Sequence, residues 1–395
     1  MIPSFILALW ASGLLALISI GAFVWLSHEW MQRSWGWDPL AGVSVFSPDF
    51  GWDPTTGLFA GALALGLINL LGRFFVLGWL RIQKWPYRYS NPDPRHPPSP
   101  RSVEMVERPD GSQLRIYCYG DPDGEPLVAT HGWGLSSEAW NYLKREIPHG
   151  CRLIVWDLPG LGESKGPVTG DYSLAKMAMD LDAVMAFAGK PCTLVGHSIG
   201  GMIIQTYMQT FPEKLRVRVR GAILVHTTPV DPVKTTSGSS YLLPLEGPLL
   251  APLMRITIAL SPLVRVLNWL SYANGSTHLT TKFSSFAGHE SWQQVDFAAR
   301  FTPRASPAVL AAGMLEMMRY DALTALPTVK VPVAVIAGNR DSTTLPEASG
   351  LIYGSIEGAV LHTLTPAKHL GYIERHASFH QLLREFWRDR RMEIG

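Results

Sequence analysis

Six short apolar runs recur through the later part of the chain, and their spacing restricts its fold more than any other feature. They are "PLVATHG", "CRLIVWDL", "CTLVGHS", "GAILVHT", "VPVAVIAG" and "AVLHTLT". Each reads as a buried strand of four to seven residues. Between the second and third, Leu174, Met177, Ala178, Leu181, Val184, Met185 and Ala188 recur at helical spacing and make one apolar face. Strand, helix, strand repeated in this way predicts a mostly parallel sheet with helices on both faces. Ahead of the series, "SVEMVERPDGSQLRIYCYG" predicts two further strands around an Asp110-Gly111 turn. The alternation breaks once, where roughly a hundred residues from His226 to Val331 show no strand pattern. That is too long for a connection, so a helical cap inserted over about 228–325 is expected.

The N-terminal part is different in kind. From Ile2 to Leu26 there is no charged side chain, and the stretch is long enough to cross a hydrocarbon core of about 30 Å as a helix. It lacks the basic start and small-residue cleavage site of a secretory signal, so a retained anchor is expected. A second apolar stretch, Gly57 to Leu80, contains Asn69 and Arg73 and reads either as a second span or as a packed interfacial helix. Basic residues Arg81, Lys84, Arg88, Arg95 and Arg101 follow it, while the segment from Ser27 to Thr56 is mainly acidic. By the positive-inside rule a helical hairpin would leave the large C-terminal part cytoplasmic. The proline-rich stretch 85–101 reads as an extended linker, which divides the chain into a membrane anchor over 1–84 and a main domain over 102–395.

The chemistry centres on Gly196-His197-Ser198-Ile199-Gly200. A strand-like "CTLV" precedes it and a helix-like "IGGMIIQTYMQTF" follows, which is the strand, sharp turn, helix setting that exposes a nucleophilic serine. A serine hydroxyl needs a base, and the base needs an orienting acid. Asp341 follows the strand "VPVAVIAG" and His369 follows "AVLHTLT", giving the order Ser, Asp, His at the ends of successive strands. His362 falls inside a strand and His376 and His380 fall near a helix, which leaves His369 as the base; Asp231 is the second candidate for the acid. Upstream, "ATHGWG" places Trp133 after a strand, where its backbone N–H would pair with that of Ile199 to hold an oxyanion. His131 reads as an orienting residue of the same loop.

Charge and cysteine usage exclude other classes. Lys and Arg number 34 against 32 Asp and Glu, so the net charge of +2 gives none of the field used by nucleic-acid binders. Three separated cysteines form neither a disulfide framework nor a zinc pattern. No metal constellation or nucleotide loop is visible, and no cofactor is expected. Asn274-Gly275-Ser276 has the form of a glycosylation sequon but reads as a turn in a cytoplasmic domain.

Taken together, "HGWGLSSEAW", "DLPGLGES", "LVGHSIGG", "VIAGNRDSTTLP" and "AKHLGYIERH" resemble the α/β-hydrolase family, in the family's order, over about Ser102 to Arg390. The resemblance implies an eight-stranded sheet with a lid after the sixth strand, a triad of Ser198, Asp341 and His369, and backbone oxyanion donors at Trp133 and Ile199. It gives Asp157 a structural part only. A serine at the elbow argues against the branches that open halides or epoxides, which carry aspartate there. Ester hydrolysis through an acyl-enzyme is the leading expectation, and the anchor with the apolar cap segment Tyr241–Tyr272 points to a lipid-like ester such as a monoacylglycerol. Perhydrolase or carbon–carbon hydrolase chemistry on the same triad, and a catalytically silent membrane-tethered binding protein, stay open as alternatives.

Overall fold

The computed structural model describes residues 3–48, 54–83 and 92–392. The expected start of the first helix at Ile2 and the linker residues 85–91 lie outside them.

The six apolar runs form strands β5 (Glu125–Thr130), β6 (Cys151–Trp156), β7 (Cys192–His197), β8 (Val219–Val225), β9 (Val333–Gly338) and β10 (Val360–Leu364). The two strands around Asp110-Gly111 are β3 (Ser102–Glu107) and β4 (Gln113–Gly120). They join in one eight-stranded sheet of order β10-β9-β8-β7-β5-β6-β4-β3. β5 to β10 pair in parallel, while β3 and β4 close one edge in antiparallel register. β7 is buried at every residue, because helices cover both faces there. On one side lie Leu174–Ala188 and Ile199–Thr210, and on the other the C-terminal helix His376–Met392 supplies Phe379 and Leu383. Leu174–Ala188 is bounded by Ser173, whose side chain accepts from the Lys176 N–H, and by Gly189 at φ 74°.

Between β8 and β9 the chain is helical, from Ser239 through the helices Ala251–Ala259, Ser261–Ala273, Ser276–Ser285, Trp292–Ala299 and Pro307–Met317. These make the cap. Pro307–Met317 lies against the sheet domain closely enough that a Cβ on Gly313 would sit 2.1 Å from the Trp133 ring.

The N-terminal segments are α1 (Pro3–Ser34) and α2 (Pro54–Gln83), both longer than the apolar stretches that announce them. They pack as an antiparallel pair, with Gly66 against Phe23, Gly61 against Leu26 and Trp30 against Phe59. Asn69 donates to Ser19 Oγ at 2.8 Å and to the Leu65 carbonyl at 2.9 Å, so its polar group is spent inside the pair. A short ribbon of β1 (Trp35–Asp38) and β2 (Val43–Phe46) follows α1. Three helical stretches, Gly13–Ser34, Thr56–Gln83 and Ser239–Ala259, are long and apolar enough to cross a membrane by length and composition. The third is broken by a 3₁₀ turn at Leu243–Leu245 and a π turn at Glu246–Leu250, where prolines interrupt the helical ladder.

The helix pair is docked on the cap. A Cβ on Gly13 would lie 2.7 Å from Leu267 Cβ, one on Gly72 would lie 2.4 Å from the Asn274 carbonyl, and Trp10 donates to Thr257 Oγ1 at 3.0 Å. Asn274, half-buried, and Gly275, buried, thus sit at a helix contact and form the turn expected of them. Arg73 falls at this junction, with its guanidinium over the Phe74 and Tyr272 rings at 4.6 and 5.3 Å. The described part of the linker is also held: Tyr142 Oη donates to the Pro92 carbonyl at 2.7 Å, and Asn141 Nδ2 to that of Pro94 at 2.9 Å.

Candidate active site

β7 ends in the parallel sheet and the chain must turn at once into the helix Ile199–Thr210. Ser198 takes that turn with φ 55° and ψ −120°, a conformation costly for a residue with a side chain and held here from several directions. Its N–H donates to the Val225 carbonyl at 2.9 Å, and its carbonyl accepts from Thr227 Oγ1 at 2.7 Å. Glycine is required on both sides. A Cβ on Gly196 would meet the Gly200 carbonyl carbon at 2.4 Å, and one on Gly200 would meet the Thr130 carbonyl oxygen at 2.4 Å. The serine hydroxyl is thereby presented at the C-terminal edge of the sheet.

The structure brings Ser198, His369 and Asp341 together. Ser198 Oγ lies 3.1 Å from His369 Nε2, and His369 Nδ1 lies 2.9 Å from Asp341 Oδ2. Asp341 is buried and richly bonded: Oδ1 accepts from the N–H groups of Thr343 and Thr344 at 2.8 and 3.1 Å, and Oδ2 from Thr344 Oγ1 at 3.0 Å. Burial alone would raise its pKa, but the adjacent His369 and the hydrogen bonds from His226 and His369 prevail and hold it well below the usual carboxylate range. An ionised Asp341 fixes the Nδ1–H tautomer of His369, which leaves Nε2 free to accept the serine proton.

Asp231 stands apart from this group. Its carboxylate accepts from the Val233 N–H at 2.8 Å, and burial, with the charge of Glu246 adding to it, raises its pKa to about 6. His362 lies in β10, and His376 and His380 lie in the C-terminal helix, where His380 meets Glu146 at 3.1 Å.

Trp133 lines the cavity that holds Ser198, and Ile199 is the first residue of the helix that follows it. Among the hydrogen bonds of the described residues, none occupies the backbone N–H of either. The Trp133 indole donates to the Leu310 carbonyl at 3.0 Å, so a cap helix holds the loop in place. His131 steadies it from beneath. His131 Nε2 accepts from the Leu158 N–H at 3.0 Å, so Nδ1 carries the proton that bonds the Gly132 carbonyl at 2.8 Å. Burial keeps this imidazole neutral, against the pull of Asp157. Asp157 itself accepts from the N–H groups of Ser137 and Glu163 at 2.6 and 2.9 Å, a turn-building role.

Two further histidines belong to the site and were not singled out from the sequence. His197 Nε2 lies 2.9 Å from the His369 carbonyl oxygen, and His226 Nδ1 lies 3.5 Å from Asp341 Oδ2. Burial lowers the pKa of both, so each is a neutral brace for the catalytic-type pair. The signals were present: His197 is the second residue of the Gly-x-Ser-x-Gly run, and His226 ends a buried strand.

A cavity of about 280 Å³ opens over Ser198 and His369. Its cap wall is formed by Thr280, Thr281, Ser284 and Ser285 on one helix and by Ala298, Phe301 and Thr302 on the next turns, facing Trp133 and Leu135. The apolar segment Tyr241–Tyr272 contributes nothing to this lining: its first part packs on the core, where Leu250 and Met254 are buried with Leu310 and Met314, and its later part meets α1 and α2.

The chain belongs to the alpha/beta hydrolase family, whose profile matches residues 127–382. The pimeloyl-[acyl-carrier protein] methyl ester esterase of Aeromonas salmonicida (strain A449) is 35% identical over 92 residues, which are 23% of this chain and 35% of that protein. The match therefore spans about a third of that relative's length. An esterase from Exiguobacterium antarcticum superposes with a TM-score of 0.57 at 22% identity, over 72% of this chain and 99% of its own. A bromoperoxidase from Bacillus anthracis gives 0.58 at 21% identity, over 73% and 100%. At such identities the two structures share the fold.

Proposed function

We propose that this chain is a membrane-anchored serine hydrolase that cleaves carboxylic esters through an acyl-enzyme. The observation that carries the reading is the unbroken contact from Ser198 Oγ through His369 to Asp341, at 3.1 and 2.9 Å, beside two unoccupied backbone N–H groups. His369 Nε2 takes the Ser198 proton as Oγ bonds the ester carbonyl carbon. The oxyanion is held by the N–H groups of Trp133 and Ile199. Collapse of the tetrahedral adduct breaks the C–O bond to the alcohol, which leaves with the proton from His369. Water then repeats the cycle on the acyl-serine and releases the acid. The esterase relatives support the same reaction class.

The lipid-like substrate class is supported by the cavity and the anchor. The cavity sets aromatic and aliphatic walls against a row of hydroxyls, a match for an acyl chain joined to a small polyol such as glycerol. Leu15, Ile18, Leu67, Ile68 and Leu70 face outward from the helix pair, and the paired Asn69 removes the main cost of placing it in lipid. The basic residues at and beyond the end of α2 support a hydrolase domain on the cytoplasmic side. The test is hydrolysis of a chain-length series of monoacylglycerols and of short water-soluble esters by the full chain in detergent. Preference for the monoacylglycerols, with none cleaved by Ser198→Ala, is expected. Preference for short soluble esters overturns the lipid reading, and equal turnover by Ser198→Ala overturns the nucleophile.

A further inference from the structure

A second cavity, of about 430 Å³, lies where α2 meets the cap. Its walls are Arg73, Phe74, Leu77 and Arg81 of α2, Tyr272 and Trp292 of the cap, and the pair Arg95 and Asp296. The charges do not cancel. Arg95 is consumed by Asp93 at 2.6 Å and Asp296 at 2.9 Å, and Asp296 also meets His278 at 3.2 Å. Arg73 and Arg81 make no ion pair among the described residues; each rests against aromatic faces, Arg81 at 6.0 Å from the Trp292 ring. Two uncompensated guanidinium groups thus line one cavity whose remaining wall, apart from the Arg95–Asp296 pair, is aliphatic and aromatic.

Its level along α2 defines what can reach it. The outward aliphatic run Leu63, Leu67, Ile68, Leu70 and Leu71 reaches Gly72, which closes on Asn274; beyond Arg73 the exposed apolar residues are the aromatic Phe74, Phe75 and Trp79, before Ile82. About 20 helical residues cross a hydrocarbon core, so the stretch from Pro54 to Gly72 nearly fills that thickness and puts Arg73 to Arg81 among the headgroups. Exposed Trp79 and Trp269 flank the same level, as aromatic residues do at a membrane surface.

We infer that this cavity binds the headgroup of an anionic phospholipid, with the phosphate between Arg73 and Arg81 and the first acyl carbons over Phe74 and Leu77. Planar guanidinium groups suit phosphate oxygens, and the low-dielectric setting strengthens the contact. Such a lipid joins α2 to two cap helices, one of which also carries Ala298 at the active-site cavity. The inference rests on the anchoring proposed above.

The experiment titrates delipidated full chain in detergent with dihexanoylphosphatidylglycerol, dihexanoylphosphatidylcholine and inorganic phosphate, followed calorimetrically. Saturable binding of the phosphatidylglycerol alone is expected, weakened about tenfold or more in Arg73→Gln/Arg81→Gln. The exposed single variant Arg81→Gln, expected to lose a smaller part of the affinity, serves if the double variant does not fold; fluorophosphonate labelling of Ser198 reports folding. Unchanged affinity in the variants, equal binding of phosphatidylcholine, or equal binding of inorganic phosphate overturns the site. Alkaline carbonate extraction separates the two readings. Release of the wild type overturns the anchoring and the site with it, whereas retention with no lipid preference overturns the site alone.

Discussion

Replacing Asp341 by Asn changes one atom and, from the surroundings of that carboxylate, should stop turnover. Oδ1 accepts two backbone N–H groups, from Thr343 and Thr344 at 2.8 and 3.1 Å, so only an oxygen fits there. The new amide nitrogen must then take the Oδ2 position, 2.9 Å from His369 Nδ1. It donates where the carboxylate accepted, so the imidazole proton moves to Nε2 and faces the Ser198 hydroxyl 3.1 Å away. A base carrying its proton on that nitrogen cannot deprotonate the serine. The equivalent change in a serine protease lowers kcat by about 10⁴ with geometry preserved, or about 5 kcal/mol of transition-state stabilisation, and a similar loss is expected here with KM little altered. Steady-state hydrolysis of a p-nitrophenyl ester reads this directly, with thermal denaturation reporting the fold. Asp231→Asn, at the second candidate acid, should leave kcat unchanged. A loss under about tenfold in Asp341→Asn, or a larger loss in Asp231→Asn, refutes the assignment of the orienting acid.

Other consequences concern stability and the docked helix pair. His376 stacks on Tyr142 at 4.1 Å, and burial, followed by the charge of His380, lowers its pKa to about 4. From the ordinary value of 6.5 down to about 4 the unfolded chain binds this proton more readily, so stability present above pH 6.5 is lost as pH falls through that window. The difference in unfolding free energy between wild type and His376→Phe should shrink by about 3 kcal/mol from pH 7 to pH 4; a pH-independent difference contradicts it. Gly72→Val forces α2 off the Asn274 carbonyl, which a Cβ would approach to 2.4 Å, and should destabilise by about 1–3 kcal/mol and raise amide exchange in Ser276–Ser285. Gly21→Val, with nothing within 4 Å, is the control, and equal exchange in the two variants contradicts the docking.

The sheet and the elbow were legible because their signals are local. A strand such as β7 is buried on both faces and so reads as an unbroken apolar run, and the glycines around Ser198 are demanded by contacts a few residues away in sequence or in the adjacent strand. The cap was legible as an insertion but not as a surface. Hydrophobicity drew attention to Tyr241–Tyr272, yet the wall over the serine is the polar face of Ser276–Ser285, and the apolar segment packs on the core and on the helix pair. Only the long-range contact of Gly13 with Leu267 and of Gly72 with Asn274 decides which partner an apolar helix takes. The same contacts place Arg73, costly in mid-span, at the junction with the cap. The ribbon of β1 and β2 was overlooked because its alternation of Trp35, Trp37, Val43 and Val45 is too short to stand out beside two long helices.

The claim on which everything else depends is that Ser198 is the atom that becomes acylated. Intact-mass spectrometry after treatment with a fluorophosphonate, followed by peptide mapping, measures it in one step. A single adduct is expected on the peptide containing Ser198, absent in Ser198→Ala and formed far more slowly in His369→Ala. An adduct elsewhere, or equal labelling of wild type and Ser198→Ala, would contradict it.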